Sequence, residues 1–122
     1  ENKFKESPFI EQMMVVGENR KYASALIVPA FPYLKSWCER KNIPFDSNEN
    51  VIRNPEVIAR IKSEVDSFNE NFGQTEQIKK FALLPSEWTP ASGDLTQKLS
   101  LKRKVIAERN KEAIEKMYEG QS

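Results

Sequence analysis

Apolar residues fall into two different periods along this chain. Over its first quarter they come in short runs: residues 9–16 end in Met13-Met14-Val15-Val16, and residues 22–28 read YASALIV. Such runs, separated by Gly17-Glu18-Asn19-Arg20, predict two strands joined as a hairpin. Ala23, Ser24 and Ala25 fit a surface against which another element packs closely. The period then lengthens. Leu34, Trp37 and Cys38 stand at i, i+3 and i+4, predicting a short helix over 32–41, with Pro29 and Pro32 bracketing its entry. Residues 42–53 are polar and irregular and read as a loop with one helical turn. The strongest helical signal follows: Asn54 as N-cap, Pro55 at the first position, Glu56 at the positive end of the dipole, then Val57, Ile61, Val65, Phe68 and Phe72, with Gly73 placed to end the helix in the left-handed region.

A third strand is predicted over 78–84 (IKKFALL), stopped by Pro85, and residues 86–93 (SEWTPASG) are turn-rich. Residues 94–101 favour extended structure only in part. A final helix over 102–118 buries Ile106, Ala113, Ile114, Met117 and Tyr118. At the other end, residues 1–6 read as the close of a helix stopped at Ser7-Pro8. The expected class is α+β: a small, mostly antiparallel sheet of about three strands packed with three to four helices.

Composition narrows the chemistry. The chain has 122 residues, enough for one domain. Nineteen Lys and Arg balance eighteen Asp and Glu, so the overall field gives no reason to expect nucleic acid or an acidic membrane as partner. There is one cysteine and no histidine, which excludes a disulfide framework, Cys/His zinc sites and any Ser-His-Asp or Cys-His nucleophile. Carboxylates, lysines and hydroxyls are what remain, and no metal site is expected. No apolar run nears the roughly 20 residues needed to span a bilayer, and the first residues are too polar for a signal peptide, so a cytoplasmic location is expected. The opening without Met reads as that of an excised piece, and the ending Gly120-Gln121-Ser122 as a natural C-terminus.

Chemical promise concentrates in GDLTQKLSLKRK, residues 93–104. A glycine-containing turn leads into Lys98, Lys102, Arg103 and Lys104, four cations within seven residues. If the segment is extended, alternation puts Lys98, Ser100 and Lys102 on one side, a concentration suited to nucleotide or coenzyme A phosphates. By spacing alone, lysines ahead of a helix are most often a solvated face. Cys38 reads as buried packing, and Trp37 and Phe68 as core. Trp88 covers the sheet or shapes an interface. Glu11, Glu18 and Asp94 have no partner implied by spacing and receive no acid–base role.

The string EQIKKFALLPSEWTPASGDLTQKLSLKRKVI resembles the closing segment of long-chain fatty acid–CoA ligases of the AMP-forming adenylating superfamily, where EQIKKF and LLP precede a G-E-L-T-P-T-x-K-x-K-R-x-V-I pattern. ENKFKESPFIEQMMVVG and KYASALIVPAF resemble that family's preceding helix and strands, so the likeness covers essentially the whole chain. It implies that residues 1–122 are the mobile C-terminal subdomain, the large N-terminal adenylation domain being the implied partner. That domain would hold most of the ATP, Mg2+ and fatty acid contacts, with coenzyme A as co-substrate. The resemblance leaves room for peripheral membrane association of the full-length enzyme and implies no nucleic acid.

In that superfamily a lysine of the closing motif reaches the reacting carboxylate and α-phosphate while acyl-adenylate forms. The small domain then rotates and admits the coenzyme A thiol. Here the motif departs from the pattern: Ser100 stands at the adenylation lysine's position, Gln97 replaces the proline and Lys98 the threonine. In an extended segment Lys98 is one same-face step, roughly 7 Å, from the vacant position. Lys98 is therefore the expected catalytic lysine and Lys102 the second candidate, the rival being a branch that lacks the lysine and adenylates slowly; Gly93 and Arg103 are the expected nucleotide- or phosphate-binding positions, Arg103 reading equally as an anchor of the motif. Two competing classes are a free-standing RNA- or polyanion-binding module, disfavoured by near-neutral charge and aromatics at core spacings, and the same subdomain in an enzyme adenylating other carboxylic acids.

Overall fold

The computed structural model describes residues 7–17, 20–71, 73 and 77–119. A three-stranded sheet, β1 (Ile10–Val16), β2 (Ala23–Pro29) and β3 (Ile78–Leu83), lies in the order β1-β2-β3. β1 and β2 form the expected hairpin, with Met14 opposite Leu26 and Val16 opposite Ser24. β2 pairs with β3 in parallel, Leu26 opposite Ala82, so the sheet is mixed where the sequence reading expected it mostly antiparallel. What permits it is the long connection: residues 30–77 carry three helices between β2 and β3, and a crossover of that length, unlike a tight turn, allows a parallel return.

Those helices are α1 (Phe31–Lys41), α2 (Asn48–Val51) and α3 (Pro55–Asn69). α1 stops where Asn42 turns left-handed at φ 59°. The one-turn α2 is capped by the Ser47 hydroxyl, and α3 by the Asn54 side chain, which accepts from the Glu56 amide at 2.8 Å. α3 ends at Asn69, short of the expected Phe72, and Gly73 is not among the residues with positive φ. The Asn69 amide is the cause: its Oδ1 accepts from the Ile78 N–H at 3.0 Å and its Nδ2 donates to the Ile78 carbonyl at 2.9 Å, tying the helix end to the start of β3. Residues 1–6, 18, 19, 72 and 120–122, on which the upstream helix, the hairpin tip and the chain ending were expected, lie outside the described residues.

The helix expected over 102–118 is two, α4 (Arg103–Arg109) and α5 (Lys111–Met117), which makes five helices among the described residues where three to four were expected. At the break, Asn110 donates through its side chain to the Ile106 carbonyl at 2.9 Å and sits at φ −113°, ψ 25°, outside the helical basin. The Ile106 carbonyl also accepts from the Asn110 backbone N–H at 3.0 Å, so both donors of Asn110 close the turn on α4.

The two faces of the sheet have separate cores. Met13, Ala25, Ile27 and Ile78 pack with Leu34, Cys38, Val57, Ile61 and Val65 of α1 and α3. Met14, Leu26 and Val28 pack with Trp88, Leu95, Ile106, Met117 and Tyr118. β2 is thus buried from both sides, as its continuous apolar run requires. Cys38 is fully buried, and desolvation, with a smaller contribution from the Glu56 charge, raises its thiol above the ordinary value. Ser24 is also fully buried, and its hydroxyl finds no partner among the described residues. Ser24→Ala is expected to be neutral or stabilising by about 1 kcal/mol in thermal or urea unfolding, because it removes an unmet hydroxyl and keeps the volume.

The end of α5 is latched to the residue before β2. The rings of Tyr22 and Tyr118 stack at 4.8 Å, Tyr118 Oη donates to the Tyr22 carbonyl at 2.7 Å and Tyr22 Oη to that of Met117 at 2.8 Å. Arg20 lies over the Tyr118 ring and pairs with Glu115. Hydrogen bonding from Arg20, then its charge, holds the Glu115 carboxyl below the ordinary 4.5. A carboxyl lowered on folding stabilises above its unfolded value and loses that contribution as pH falls through the folded one. Glu115 is thus expected to titrate, by NMR, below the ordinary glutamate value, and Arg20→Ala to bring it back up toward that value.

Candidate functional site

The cationic segment is presented by a second, much tighter hairpin built on the β1–β2 face that carries α4 and α5. Its construction starts at Trp88, whose ring is buried in the core on that face, so of the two readings of this residue the one in which it covers the sheet holds. The Gln12 side chain brackets the Trp88 backbone, accepting from its N–H at 2.7 Å and donating to its carbonyl at 2.9 Å. A polar turn follows. The Thr89 and Ser92 hydroxyls accept each other's backbone N–H, at 3.1 and 2.9 Å, and Ser92 Oγ stands 2.6 Å from Asp94 Oδ2.

Asp94, expected to be isolated, is buried and paired. Arg109 of α4 reaches back with Nη1 3.0 Å from Asp94 Oδ1 and also donates to the Ser92 carbonyl. Gly93 makes room for this clamp. Its φ of +87° favours glycine, and a Cβ there would stand 3.1 Å from Arg109 Nη2, so a side chain would also press on the guanidinium.

Beyond the clamp the chain turns back within a few residues. Leu95 bridges Leu101 in antiparallel fashion, and the Lys102 N–H donates to the Asp94 carbonyl at 2.9 Å. Thr96 closes the loop three ways: its N–H donates to the Ser100 carbonyl at 2.9 Å, its carbonyl accepts from Leu99 N–H at 2.9 Å, and its Oγ1 accepts from Ser100 N–H at 3.1 Å. Leu99 is left-handed at φ 65°. This is a three-residue hairpin loop with a left-handed last residue.

That geometry replaces the extended segment on which same-face alternation was reckoned. Lys98 lies in the turn at the tip and Ser100 on the returning arm, with left-handed Leu99 between them, so the two are not neighbours on one face of a strand. Lys98, Ser100 and Lys102 are all exposed. Lys102 is the residue before α4, at the foot of the hairpin. Arg103 Nη1 donates to the Val15 carbonyl of β1 at 3.3 Å and so anchors the start of α4 to the sheet. Ser100 borders a groove of about 730 Å3 also lined by Glu11, Trp88 and Arg103.

The structure thus brings Lys98 and Lys102 to one hairpin, and places Gly93 and Arg103 in its support. Sequence reasoning missed the Asp94–Arg109 pair, whose partners are 15 residues apart on different elements. Thr89-Pro90-Ala91-Ser92 was its one legible piece, as turn chemistry. The hairpin's leucines divide: Leu95 is buried and Leu101 half-buried, while Leu99 is 67% exposed. The exposed aromatic among the described residues is Tyr33, on α1.

Residues 1–122 match the family of AMP-binding enzyme C-terminal domains. The chain belongs to that family, the small domain of adenylate-forming enzymes. It is 34% identical over 111 residues to the putative fatty-acid–CoA ligase fadD11 of Mycobacterium tuberculosis, covering 91% of this chain and 19% of that protein. It is 31% identical over 119 residues to the long-chain-fatty-acid–CoA ligase FadD15 of the same organism, covering 97% of this chain and 20% of that protein. The chain therefore spans about a fifth of the length of these relatives. Its fold matches the adenylation domain of a carboxylic acid reductase from Segniliparus rugosus, solved with AMP and a co-purified carboxylic acid, at a TM-score of 0.74 and 19% identity, over 98% of this chain and 17% of that one.

The clamp carries a prediction of its own. Asp94→Ala leaves the Arg109 guanidinium and the Ser92 hydroxyl without their shared acceptor. It is expected to cost about 1–3 kcal/mol in denaturant unfolding and to open the 93–102 segment to limited proteolysis before the rest of the domain.

Proposed function

We propose that this domain is the mobile C-terminal part of a long-chain fatty acid–CoA ligase and that its hairpin delivers Lys98 to the acyl-adenylation step. What carries the reading is the placement of Lys98: an exposed ammonium at the tip of a loop whose base is locked by the Asp94–Arg109 clamp and the Leu95–Leu101 bridge. The likeness to fatty-acid–CoA ligases over nine-tenths of the chain supports the substrate class.

In this reading the first half-reaction joins a fatty acid carboxylate oxygen to the α-phosphorus of ATP and expels pyrophosphate. The large domain holds the nucleotide, its Mg2+ and the acyl chain. Lys98 enters from the small domain and its ammonium meets charge developing on the phosphoryl and carboxylate oxygens, an interaction stronger in the transition state than before it. A rigid base matters because a misplaced charge stabilises little. In the second half-reaction the coenzyme A sulfur attacks the acyl carbonyl, its proton is lost, and AMP leaves. The lysine has no part in that step, and rotation of the whole domain removes it.

Lys102 is the second lysine within reach of a ligand at this hairpin. As the residue preceding α4, with its amide bonded to Asp94, it moves as part of the base. Arg103, bonded to the Val15 carbonyl, and Gly93, beneath Arg109, serve the hairpin's position in this reading more than direct phosphate binding.

The test uses the full-length enzyme. With palmitate, ATP and Mg2+, Lys98→Ala is expected to slow pyrophosphate release by roughly 100- to 1,000-fold, and Lys102→Ala by much less. Thioester formation from supplied palmitoyl-adenylate and coenzyme A should stay near wild type in both. Equal rates for Lys98→Ala and wild type would remove the lysine from the mechanism, and absence of pyrophosphate release with every carboxylic acid tried would sink the ligase assignment.

A further inference from the structure

Leu99 combines two features that this fold does not need. Its backbone is left-handed, φ 65°, at a loop position where glycine is the ordinary occupant and a Cβ is crowded by the following carbonyl. Its side chain is 67% exposed, so most of its apolar surface gives the domain no burial in return. The neighbouring leucines of the same hairpin behave otherwise, since Leu95 and Leu101 pack into the core beneath. Glycine or asparagine would make the same turn with less strain and no exposed apolar surface.

We propose that Leu99 is a positioning residue: an apolar anchor that seats the hairpin tip in a recess of the enzyme's own large domain, and so fixes Lys98 during adenylation. This rests on the function proposed above. The large domain is the occupant because the chain spans about a fifth of the relatives it matches, so most of the enzyme lies elsewhere. Leu99 also directly follows Lys98 within a loop closed by Thr96 and clamped at its base, so seating one side chain sets the place of the other. A bilayer is the poorer partner, because one leucine supplies too little apolar area for stable insertion. A second copy would leave the tip of each hairpin occupied when the reaction needs it.

The experiment compares wild type, Leu99→Gly, Leu99→Asn and Leu99→Met as full-length proteins. Leu99→Gly and Leu99→Asn are expected to raise the thermal midpoint or leave it unchanged, and to lower kcat for pyrophosphate release about tenfold, the order expected when an exposed leucine loses its burial on docking. The KM for ATP should hold, as should thioester formation from supplied palmitoyl-adenylate; Leu99→Met should keep most of the adenylation rate. Unchanged adenylation in Leu99→Gly, while Lys98→Ala is impaired, would overturn the anchor and leave the ligase mechanism standing. Loss of sedimentation with phosphatidylserine vesicles at unchanged adenylation would overturn it in favour of a membrane role. A parent enzyme that releases no pyrophosphate with any acid would count against the underlying function.

Discussion

Everything in this domain hangs on β2, a strand that must be covered on both faces and paired on both edges. Leu26, Ile27 and Val28 are at most 1% exposed, and full burial of each such side chain is worth about 1.5–3 kcal/mol relative to water. One face is closed by α1 and α3, the other by α4, α5 and the Trp88 segment. Because the chain has few residues, neither core could stand alone, and the cationic hairpin is attached to the second of them through Leu95 and Leu101. The site is therefore not an appendage. Its base is part of the packing that holds β2.

Where the strand ladder runs out, side-chain amides continue it. Gln12 binds the N–H and carbonyl of Trp88, and Asn69 does the same for Ile78. Each amide behaves as one more strand residue, donor and acceptor side by side, and fixes an irregular segment to a regular one. The Gln12 bracket sets where the chain leaves the sheet before the hairpin. Asp94 and Arg109 then set how the hairpin sits on α4. Both devices satisfy polar backbone or carboxylate groups that burial would otherwise leave unmet.

The sequence made the elements legible wherever a single period ran uninterrupted. The continuous apolar run of β2, the Asn54-Pro55 start of α3 and the IKKFAL strand were readable within a residue or two, since local chemistry decides them. It failed where a side chain acts at a distance or against its own helix. The Asn69 bracket shortens α3, Asn110 divides the last helix, and the Asp94–Arg109 pair joins residues whose spacing carries no periodic signal. Parallel pairing of β3 was hidden for a related reason: the length of the crossover says that the chain can return either way, not which edge it takes. At the candidate site the cations were found from composition, while their arrangement was not, because one left-handed leucine turns an apparent strand into a loop.

That loop changes what a displaced lysine means. On an extended segment, moving a charge from position 100 to position 98 is a step along one face, and a flexible stem could make up the distance without any other adjustment. In the observed turn the two positions lie on opposite sides of Leu99, one at the tip and one on the returning arm, where the Ser100 N–H is held by the Thr96 hydroxyl. A lysine at 98 therefore projects from a different point of the hairpin than a lysine at 100 would. For it to serve the same transition state, the tip itself must come closer to the reacting phosphate, or meet it at another angle. In the reading proposed above, such a change falls on the docking of the whole domain, because the base is tied to α4 by the Asp94–Arg109 pair. A glycine at the turn would leave that proposed docking with nothing apolar at the loop; this chain carries Leu99 there.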